Sequence, residues 1–376
     1  MRNTSLRLQN FRNHVETNVD WAPHMNVIIG QNGAGKTNLI DAIHYLCMSR
    51  SFVSNSDMYV VNNEATFFMI KGHFEGNIRS SFDVGCSYSR GEGKKIFVNE
   101  SPLDRLSDLI GMVPVVVLCP GDKKLTSEGP SERRSFIDSF ISQISPRYLQ
   151  DLLDFRKARK QRNKLLQEFR GSREVLVAYL EPWNVQLMEY GARIVAKRTE
   201  VLNKFQDYLA REYEVISGMR HEPRLEYQTF CEPSEDEKVV LDQYRQKIEE
   251  ELDHEIEREL SLIGPHRDEI VFYLDDFEIR KFGSQGQHRL FALALKLAQL
   301  LYFSEELDDL PIFLLDDVFG DLDAQRTEVL LNALIEHAGQ TFVTAANPIP
   351  FDKYVTFDGE KNRKFSVELG SVKLIN

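Results

Sequence analysis

The stretch that most constrains the fold covers residues 26–43 and reads NVIIGQNGAGKTNLIDAI. Its glycines, lysine and threonine fit the pattern G-x-x-x-x-G-K-[ST]. An apolar, β-like run at residues 27–29 comes before the pattern, and apolar residues recur at helical spacing after it. The stretch therefore predicts a strand, a tight loop and a helix in direct succession. The glycines let the loop curl with its N–H groups pointing inward, and the helix adds a positive N-terminal end, so this arrangement predicts a seat for a phosphate chain.

The loop predicts a nucleotide site with ATP and Mg²⁺ as its ligands. Lys36 is expected to reach the outer phosphates, and the hydroxyl of Thr37 is expected to coordinate Mg²⁺. The residues predicted to bind the nucleotide in this loop are Gly30, Gln31, Asn32, Gly33, Ala34, Gly35, Lys36 and Thr37. The alternative is a glycine-rich turn with a solvated lysine, and the flanking strand and helix argue against it.

The segment PIFLLDDVFGDLD supplies the carboxylates that such a site needs. The apolar residues 312–315 predict a strand that is buried on both faces. Asp316 and Asp317 follow at its carboxyl end, where α/β sheets place their ligands. We expect Asp316 to hold Mg²⁺, directly or through water, and Asp317 to orient the attacking water, a task that most ATPases of this type give to glutamate. Alternatively, the two aspartates only cap the turn before FGDLD.

A third segment, FGSQGQHRLFALALKLA, places a serine and a glycine ahead of a long apolar helix. Ser284 is expected to cap this helix or its approach. Together with Gly286 and the neighbouring N–H groups, it predicts a second anion seat. A plain glycine turn with an N-cap also explains both residues, but it does not explain why they occur beside the other two segments.

The chain has 376 residues, which is enough for two domains or for one domain with an insertion. Short alternating runs with glycine turns predict antiparallel hairpins at residues 65–98. Residues 131–260 have few glycines and a helical apolar period. We therefore predict an α/β head in two parts, residues 1–130 and 261–376, with a mainly helical insert at residues 131–260.

The composition favours a globular, intracellular protein. Hydrophobic residues make up 42% of the chain, and no apolar run approaches the length of a membrane span. The start, MRNTSLRLQNFRNH, lacks the apolar stretch of a secretory signal. The four cysteines are far apart and form no C-x-x-C pair, which is typical of reduced thiols. We expect a cytoplasmic protein with no membrane partner.

Charge is unevenly distributed along the chain. The net charge of −12 argues against a surface coated for nucleic acid, yet residues 156–173 contain eight basic residues and one acidic residue. Residues 232–259 contain twelve acidic and four basic residues, which predicts a solvated or partner-contacting surface. The basic run fits either a solvated helix face or contact with nucleic-acid phosphates through Arg156, Lys157, Arg159, Lys160, Arg162 and Lys164. Arg133 and Arg134 are further candidates, or they hold the insert onto the head.

The order GQNGAGKT, SQGQHR, LLDDVFGDLD resembles the ATPase heads of the ABC and SMC-like class. From end to end, the chain resembles the RecF family of bacterial DNA-repair and recombination proteins. Seven segments carry this resemblance in the right order: LRLQNFRNH, GQNGAGKTNLIDAIHYLCMSRSF, GPSERRSFID, RKQRNKLL, LIGPHRDEI, SQGQHR and LLDDVFGDLD. The resemblance implies an ABC/SMC-like P-loop ATPase head with an inserted, mainly helical second lobe.

The resemblance also implies a function in recombinational gap repair and the SOS response. Members of this family form ATP-dependent homodimers, bind DNA near single-strand gaps, and work with RecR and RecO to help load RecA. Carried onto this sequence, the catalytic residues are Lys36, Asp317 and Ser284, with Ser284 reaching the ATP of the opposing molecule. Asp321 and Asp323 match a loop that faces the dimer partner. The resemblance favours DNA-phosphate contact for the basic run, and a weak, DNA-stimulated ATPase activity is expected.

Two departures from ABC-type heads predict slow hydrolysis. No glutamine occurs at residues 38–142 to sense the γ-phosphate, and Asp122 is a possible substitute. No switch histidine follows the last strand, where Ala345, Ala346 and Asn347 stand instead. Two other classes of protein also use a phosphate loop: a kinase acting on a small metabolite, and an ABC transport ATPase subunit. The first gives no reason for SQGQHR, and the second would need the absent glutamine and histidine.

Overall fold

The computed structural model describes residues 1–346 and 351–375. Its strands are β1 (Arg2–Phe11), β2 (His14–Asp20), β3 (Met25–Ile29), β4 (Phe67–Glu75), β5 (Phe82–Ser89), β6 (Gly93–Val98), β7 (Ser101–Pro102), β8 (Val115–Leu118), β9 (Pro223–Gln228), β10 (Glu269–Leu274), β11 (Phe277–Glu278), β12 (Ile312–Asp316), β13 (Gln340–Ala345), β14 (Asn362–Glu368) and β15 (Ser371–Leu374). Its α-helices are α1 (Lys36–Met48), α2 (Lys124–Ser127), α3 (Pro130–Ile144), α4 (Pro146–Glu168), α5 (Arg173–Ser217), α6 (Glu237–Arg258), α7 (Ile279–Phe282), α8 (Gln285–Glu306) and α9 (Ala324–His337). Within the described ranges, no helix is both long enough and apolar enough to cross a bilayer.

The chain divides into two compact units. Unit 1 comprises Met1–Asp122, Glu214–Met219 and Ala292–Asn376, and unit 2 comprises Lys123–Tyr213 and Arg220–Phe291.

The boundaries between these two units differ from the predicted domain boundaries. The head and insert were predicted to meet after residues 130 and 260, whereas residues 261–291 belong to unit 2 with the helices. The division into two head segments and one insert stays a prediction of domain organisation.

A six-stranded sheet in unit 1 has the order β15-β14-β3-β13-β12-β8. All neighbouring strands in it are parallel except β14 and β15. The interior strand β12 is buried along its whole length, as its apolar sequence predicts. In the register of β12 and β13, Asp316 lies opposite Thr344, and β3 follows on the other side of β13. The carboxyl ends of these three strands therefore meet at one edge of the sheet.

A second, antiparallel sheet of unit 1 has the order β2-β1-β4-β5-β6-β7. The predicted hairpins at residues 65–98 are confirmed, because β4, β5 and β6 pair antiparallel in succession. Helix α1 packs against strands of both sheets. Apolar side chains from α1 and from both sheets form one continuous core, so the helix that follows the phosphate loop is anchored on two sides.

Unit 2 combines helices with a small antiparallel sheet of order β11-β10-β9. The predicted hairpin in VFYLDDFEIRKF is confirmed by the pairing of β10 with β11. Helix α3 begins with Pro130, as the proline and serine of GPSERRSFID predict, and it packs against α4 and β10. Leu166, Leu176 and Leu180 form one of the apolar clusters that hold the helices together.

Candidate functional site

The phosphate loop joins the end of β3 to the start of α1, as predicted. Gly33 and Gly35 have φ angles of 81° and 113°, in the left-handed region that glycine adopts without strain. Gly30 passes so close to the backbone oxygen of Val367 that a Cβ atom would collide with it. The glycines of the motif are therefore required by the backbone path of this loop.

The loop is held from behind by the segment that follows β1. The amide of Asn13 donates to the carbonyl oxygen of Ala34 at 2.9 Å, and the backbone N–H of Gly370 donates to the same oxygen at 2.9 Å. The Nε2 atom of His14 lies 3.1 Å from the carbonyl oxygen of Gly35. In a trans peptide the N–H points opposite to the C=O. The carbonyl groups of Ala34 and Gly35 point toward the protein, where they are hydrogen-bonded. The N–H groups of residues 35 and 36 therefore point away from it, toward the place where a phosphate would bind.

Lys36 is buried at the start of α1, and its ammonium group closes the loop upon itself. Its Nζ atom donates to the carbonyl oxygens of Gly30 at 2.8 Å and Gln31 at 3.1 Å. These carbonyl oxygens are neutral acceptors, so a phosphate oxygen is a stronger partner for the ammonium group. The ammonium group of Lys36 is thus held beside the loop, where it can leave the carbonyl oxygens of Gly30 and Gln31 for phosphate oxygens.

Asp316 lies at the carboxyl end of β12, where it meets the phosphate loop. Its Oδ1 atom accepts hydrogen bonds from the hydroxyls of Thr37 and Thr344, each at 2.7 Å. Burial raises the pKa of the Asp316 carboxyl, and the two hydroxyl donors oppose this shift. The two oxygen-bearing side chains predicted to bind Mg²⁺, those of Thr37 and Asp316, are therefore in direct contact.

Asp317 is exposed beside this buried pair. Its φ angle of 51° is in the left-handed region, which aspartate tolerates better than most residues but which still costs about 1 kcal/mol or more. Its backbone N–H donates to the hydroxyl of Thr344 at 3.0 Å and to the carbonyl oxygen of Thr344 at 3.3 Å. Thr344 therefore fixes the turn that directs the Asp317 carboxylate away from the strand.

The residues present fit a nucleoside triphosphate with Mg²⁺. Carboxylate and hydroxyl oxygens are the ligands that Mg²⁺ prefers, and here they come from Asp316 and Thr37. The first N–H groups of α1 have no acceptor within the helix, and the loop before them turns through two left-handed glycines. Lys36 adds one positive charge at the same place.

Ser284, in unit 2, caps helix α8 as predicted. Its Oγ atom accepts from the backbone N–H of Gln287 at 3.2 Å, while the side chain of Gln287 accepts from the N–H of Ser284 at 2.8 Å. This reciprocal pair is a capping box. Ser284 and Gly286 are both exposed in the chain, so a second molecule has access to them.

The remaining predicted residues around the nucleotide have varied positions. Asp122 follows β8, accepts from the N–H of Cys119 at 2.8 Å, and pairs with Lys296 at 2.9 Å. That Asp122 replaces the missing glutamine that senses the γ-phosphate stays a prediction. Asp323 caps α9 by accepting from the N–H of Arg326 at 2.9 Å. The side chain of Asp321 and the whole of Asn347 lie outside the described part of the chain.

Comparison with known proteins identifies the family of this chain. A model of the RecF/RecN/SMC N-terminal domain matches residues 4–359. The DNA replication and repair protein RecF of Salinibacter ruber is 43% identical over 371 residues, which cover 97% of this chain and 90% of the relative. The chain belongs to the RecF family. The RecF protein of Chloroherpeton thalassium is 39% identical over 345 residues, covering 90% of this chain and 93% of the relative.

Solved RecF structures have the same fold along the whole chain. The structure titled as the recombination mediator protein RecF with ATP in the RecFOR pathway has a TM-score of 0.89 and 28% identity, covering 100% of this chain and 97% of that one. A second, titled RecF-ATPrS, has a TM-score of 0.88 with coverage of 100% and 98%. An SMC head bound to part of ScpA has a TM-score of 0.56 at 13% identity and shares the fold alone. This chain is thus a DNA replication and repair protein of the RecF/SMC class of ATPases.

The basic run predicted to contact DNA forms part of α4 in unit 2. Arg156, Lys157, Lys160 and Lys164 are exposed and Arg159 is half-buried, so phosphate contact by these five stays a prediction. The prediction for Arg162 is wrong. Its side chain is 1% exposed, and it bonds Glu255 at 2.5 Å, Asn184 at 2.7 Å and Ser261 at 2.9 Å.

Arg133, a further DNA candidate, is also buried within unit 2. It forms a two-point ion pair with Glu269, at 2.8 Å for each bond, and so joins α3 to β10. Arg134 is half-buried, and its Nη1 donates to the backbone oxygen of Asp268 at 2.6 Å.

Sequence reasoning missed Asn13, His14 and Thr344 at the nucleotide site. The first two lie in LRLQNFRNH, a segment noted only for its resemblance to the family. Thr344 lies in a buried strand without polar neighbours in sequence, and only the parallel register of β12 and β13 brings it to Asp316. No local pattern in the sequence marks Thr344, because its contact with Asp316 depends on the order of the strands.

Proposed function

We propose that this chain is an ATP-driven clamp on DNA. ATP joins two copies, the dimer closes on DNA near single-strand gaps, and slow hydrolysis releases it. The observation that carries the proposal is the convergence of Lys36, Thr37, Asp316 and Asp317 at the carboxyl edge of one parallel sheet. The ATP-bound RecF structure of the same fold supports ATP as the nucleotide.

Each residue of the site has a specific task in hydrolysis. The outward-turned N–H groups of the loop bind the phosphate chain, and Lys36 moves from the loop carbonyls to the outer phosphate oxygens. Thr37 and Asp316 would hold Mg²⁺, and the ion would supply positive charge to offset the negative charge of the phosphate chain. Asp317 accepts a hydrogen bond from the attacking water and orients it. Because aspartate is shorter than glutamate, this orientation is less tight, which supports weak ATPase activity. Stimulation of this activity by DNA is part of the same proposal.

Ser284 completes the site of a second copy. The capping box holds its backbone in place, and its exposure leaves the serine accessible at the start of α8. The N-terminal end of a helix favours an anion, which a γ-phosphate supplies. Gly286 presents no side chain there, so a phosphate group can approach the backbone closely.

The partners belong to the same proposal. DNA binding would use the exposed cations of α4, and affinity would fall steeply with salt because phosphate contacts release counterions. We extend the proposal to cooperation with RecR and RecO in loading RecA, to SOS induction, and to a cytoplasmic location. The family membership supports these points, since relatives are titled DNA replication and repair proteins and a solved RecF is titled with the RecFOR pathway.

The test is sizing by light scattering on gapped duplex DNA, with and without ATP and Mg²⁺. The proposal expects a dimer only when ATP is present, and a larger fraction of it on gapped DNA. A chain that stays monomeric at saturating ATP and Mg²⁺ would contradict the clamp. ATP turnover measured in the same samples separates the rivals, because a metabolite kinase would not respond to DNA and a transport subunit would need its membrane partner.

A further inference from the structure

Four side chains from three segments of unit 2 interact electrostatically, and we call this group the arginine seat: Arg134, Arg159, His266 and Arg267. Arg134 is on α3 and Arg159 is on α4. His266 and Arg267 are in the loop between α6 and β10. Arg134, Arg159 and Arg267 are the charged groups that act on the His266 ring, and the ring of Phe155 packs 5.8 Å from it. The site thus concentrates three guanidinium groups around one imidazole.

The loop that carries His266 and Arg267 is rigidly held. The Oδ1 atom of Asn163 accepts from the N–H of Ser261 at 2.9 Å, and Oε1 of Glu255 accepts from the N–H of Leu262 at 2.6 Å. Gly264 has a φ angle of 132° and leaves no room for a side chain beside Tyr244.

The buried ion pair between Arg162 and Glu255 therefore stabilises this loop through hydrogen bonds. Glu255 bonds both to Arg162 and to the loop backbone, and Arg162 also donates to the hydroxyl of Ser261 at 2.9 Å. The arginine that was wrongly predicted to touch DNA instead helps to hold the start of the loop that carries His266 and Arg267. A pre-ordered site loses little conformational entropy when it binds.

The carboxylates near the seat already bond other cations. Asp138 and Asp268 both pair with the buried Arg198, at 2.8 Å and 2.7 Å. Glu269 is occupied by Arg133 in a two-point pair. These carboxylates therefore only partly compensate the charges of the seat.

Arg159 and Arg267 make no salt bridge with any described residue. Burial lowers the pKa of Arg159, and the neighbouring guanidiniums of Arg156 and Arg267 lower it further. Like charges that influence one another in this way repel, and an anion between them would relieve the repulsion. The arrangement is therefore destabilised until a negative group binds.

His266 adds an unused polar atom to the seat. Its Nε2 atom lies 3.1 Å from the carbonyl oxygen of Ser261, which can only accept, so Nε2 carries the proton. Its buried Nδ1 atom has no partner among the described residues. Burial and the arginines lower the pKa of His266 to about 3, so the ring is neutral in the free protein. A bound anion would favour protonation of Nδ1, which could then donate to it.

We propose that the arginine seat binds phosphodiester groups of a nucleic-acid backbone, an inference that rests on the proposed DNA-binding function. Guanidinium groups match the geometry of phosphate oxygens with two parallel bonds. The exposed Arg156, Lys157 and Lys160 continue the positive charge along α4. An extended track of this kind suits a repeating polyanion, whereas an acidic peptide offers single carboxylates at irregular intervals.

The decisive experiment compares two double variants of the full chain by fluorescence anisotropy on gapped duplex DNA with ATP, across a salt series. In Arg159→Ala/Arg267→Ala, two partnerless cations are removed. In the control, Arg224→Ala/Arg245→Ala, two exposed arginines that pair with carboxylates elsewhere in unit 2 are removed. We expect the first variant to lower the salt slope by about 1.8 and the affinity by about tenfold or more. The control should keep both within experimental error, and an unchanged slope in the first variant would overturn the seat.

A second readout separates the seat from the proposed function. The ring signals of His266 are followed by NMR while inorganic phosphate is titrated into the wild type and into Arg159→Ala/Arg267→Ala. The seat predicts a saturable shift in the wild type that is lost in the variant. If the wild type fails to bind DNA but shows this shift, the proposed function is wrong and the seat remains. If no shift occurs while DNA binding is normal, the proposal for the seat is wrong, and an acidic protein becomes the expected binding partner of this cluster.

Discussion

The hydroxyl of Thr344 donates a hydrogen bond of 2.7 Å to Oδ1 of Asp316. The same hydroxyl accepts from the N–H of Asp317 at 3.0 Å, so one side chain on β13 fixes both acidic residues at the end of β12. Thr37 donates to the same carboxylate oxygen as Thr344. Coordination of Mg²⁺ by Thr37 would remove one of these two donors and leave Thr344 as the remaining hydroxyl that orients Asp316.

Replacing Thr344 by valine keeps the shape of the side chain but removes both hydrogen bonds. We expect Thr344→Val to slow ATP hydrolysis by about 10–100-fold, the usual cost of losing a group that orients a metal ligand. ATP affinity should change far less, because the hydroxyl of Thr344 bonds the two aspartates and not the phosphate loop. Single-turnover hydrolysis and nucleotide titration measure the two effects separately.

Thr341→Val is the matched control, because Thr341 is buried on the same strand but lies at its other end. Thr344→Ser keeps the hydroxyl and should restore most of the activity. Equal hydrolysis by Thr344→Val and the wild type would remove Thr344 from the site.

Asp316→Asn tests the buried charge itself. Burial raises the pKa of Asp316 in the folded protein, so the folded state binds this proton more tightly than the unfolded chain does. The resulting stability is complete below the ordinary pKa of aspartate and is lost as pH rises through the raised pKa. Asparagine never ionises and still offers Oδ1 to Thr37 and Thr344. We therefore expect the nucleotide-free variant to melt about 1–3 °C above the wild type at pH 7.5 and to lose Mg²⁺-dependent hydrolysis.

The comparison of thermal melts at two pH values checks the sign of this effect. As the pH falls toward the ordinary pKa of aspartate, the difference in melting temperature should shrink, because the wild-type carboxyl becomes protonated in both the folded and the unfolded state. A variant that melts below the wild type at pH 7.5 would show that the ionised carboxylate stabilises the fold.

The sequence could predict the nucleotide site where its parts are local. The loop from Gly30 to Thr37 and the aspartates after β12 are contiguous motifs, and their strands and helices have clear periodicity. Asn13 and Thr344 could not be predicted in this way. Each acts through pairing with a segment far away in the chain, and single-sequence patterns carry no information about strand order.

The error at Arg162 has a different physical cause. Basic residues cover most of the circumference of α4, so charge alone did not show which face is buried. The apolar residues did contain that information. Phe155 follows Leu152 by three positions, Arg162 follows Phe155 by seven, and Leu166 follows Arg162 by four, so all four lie on one buried stripe. A single arginine on an apolar stripe indicates a buried ion pair, and Glu255 supplies it.

Arg162→Met leaves Glu255 buried without its cation. Breaking a buried ion pair in this way typically costs about 3–5 kcal/mol, so we expect a loss of that size in the free energy of unfolding of unit 2. Lys157→Met, on the same helix but exposed, should change stability by less than about 0.5 kcal/mol. Urea unfolding followed by circular dichroism measures both. Similar losses in the two variants would mean that the pair contributes nothing beyond its packing.

Ser284→Arg tests the contact between two copies. Ser284 is exposed, so an arginine there should leave the fold unchanged, and ATP affinity should stay within about twofold of the wild type because Ser284 lies outside the phosphate loop of its own chain. ATP-dependent dimerisation should be lost, since a bulky cation replaces the hydroxyl that a second copy's nucleotide must meet.

Ser172→Arg is the matched control: Ser172 is exposed in unit 2 and also precedes a helix, α5. The measurement is light scattering with ATP in the Asp317→Asn background, which should bind ATP without hydrolysing it and so hold the dimer together. A Ser284→Arg chain that still dimerises there would show that the second copy contacts the nucleotide through some other group.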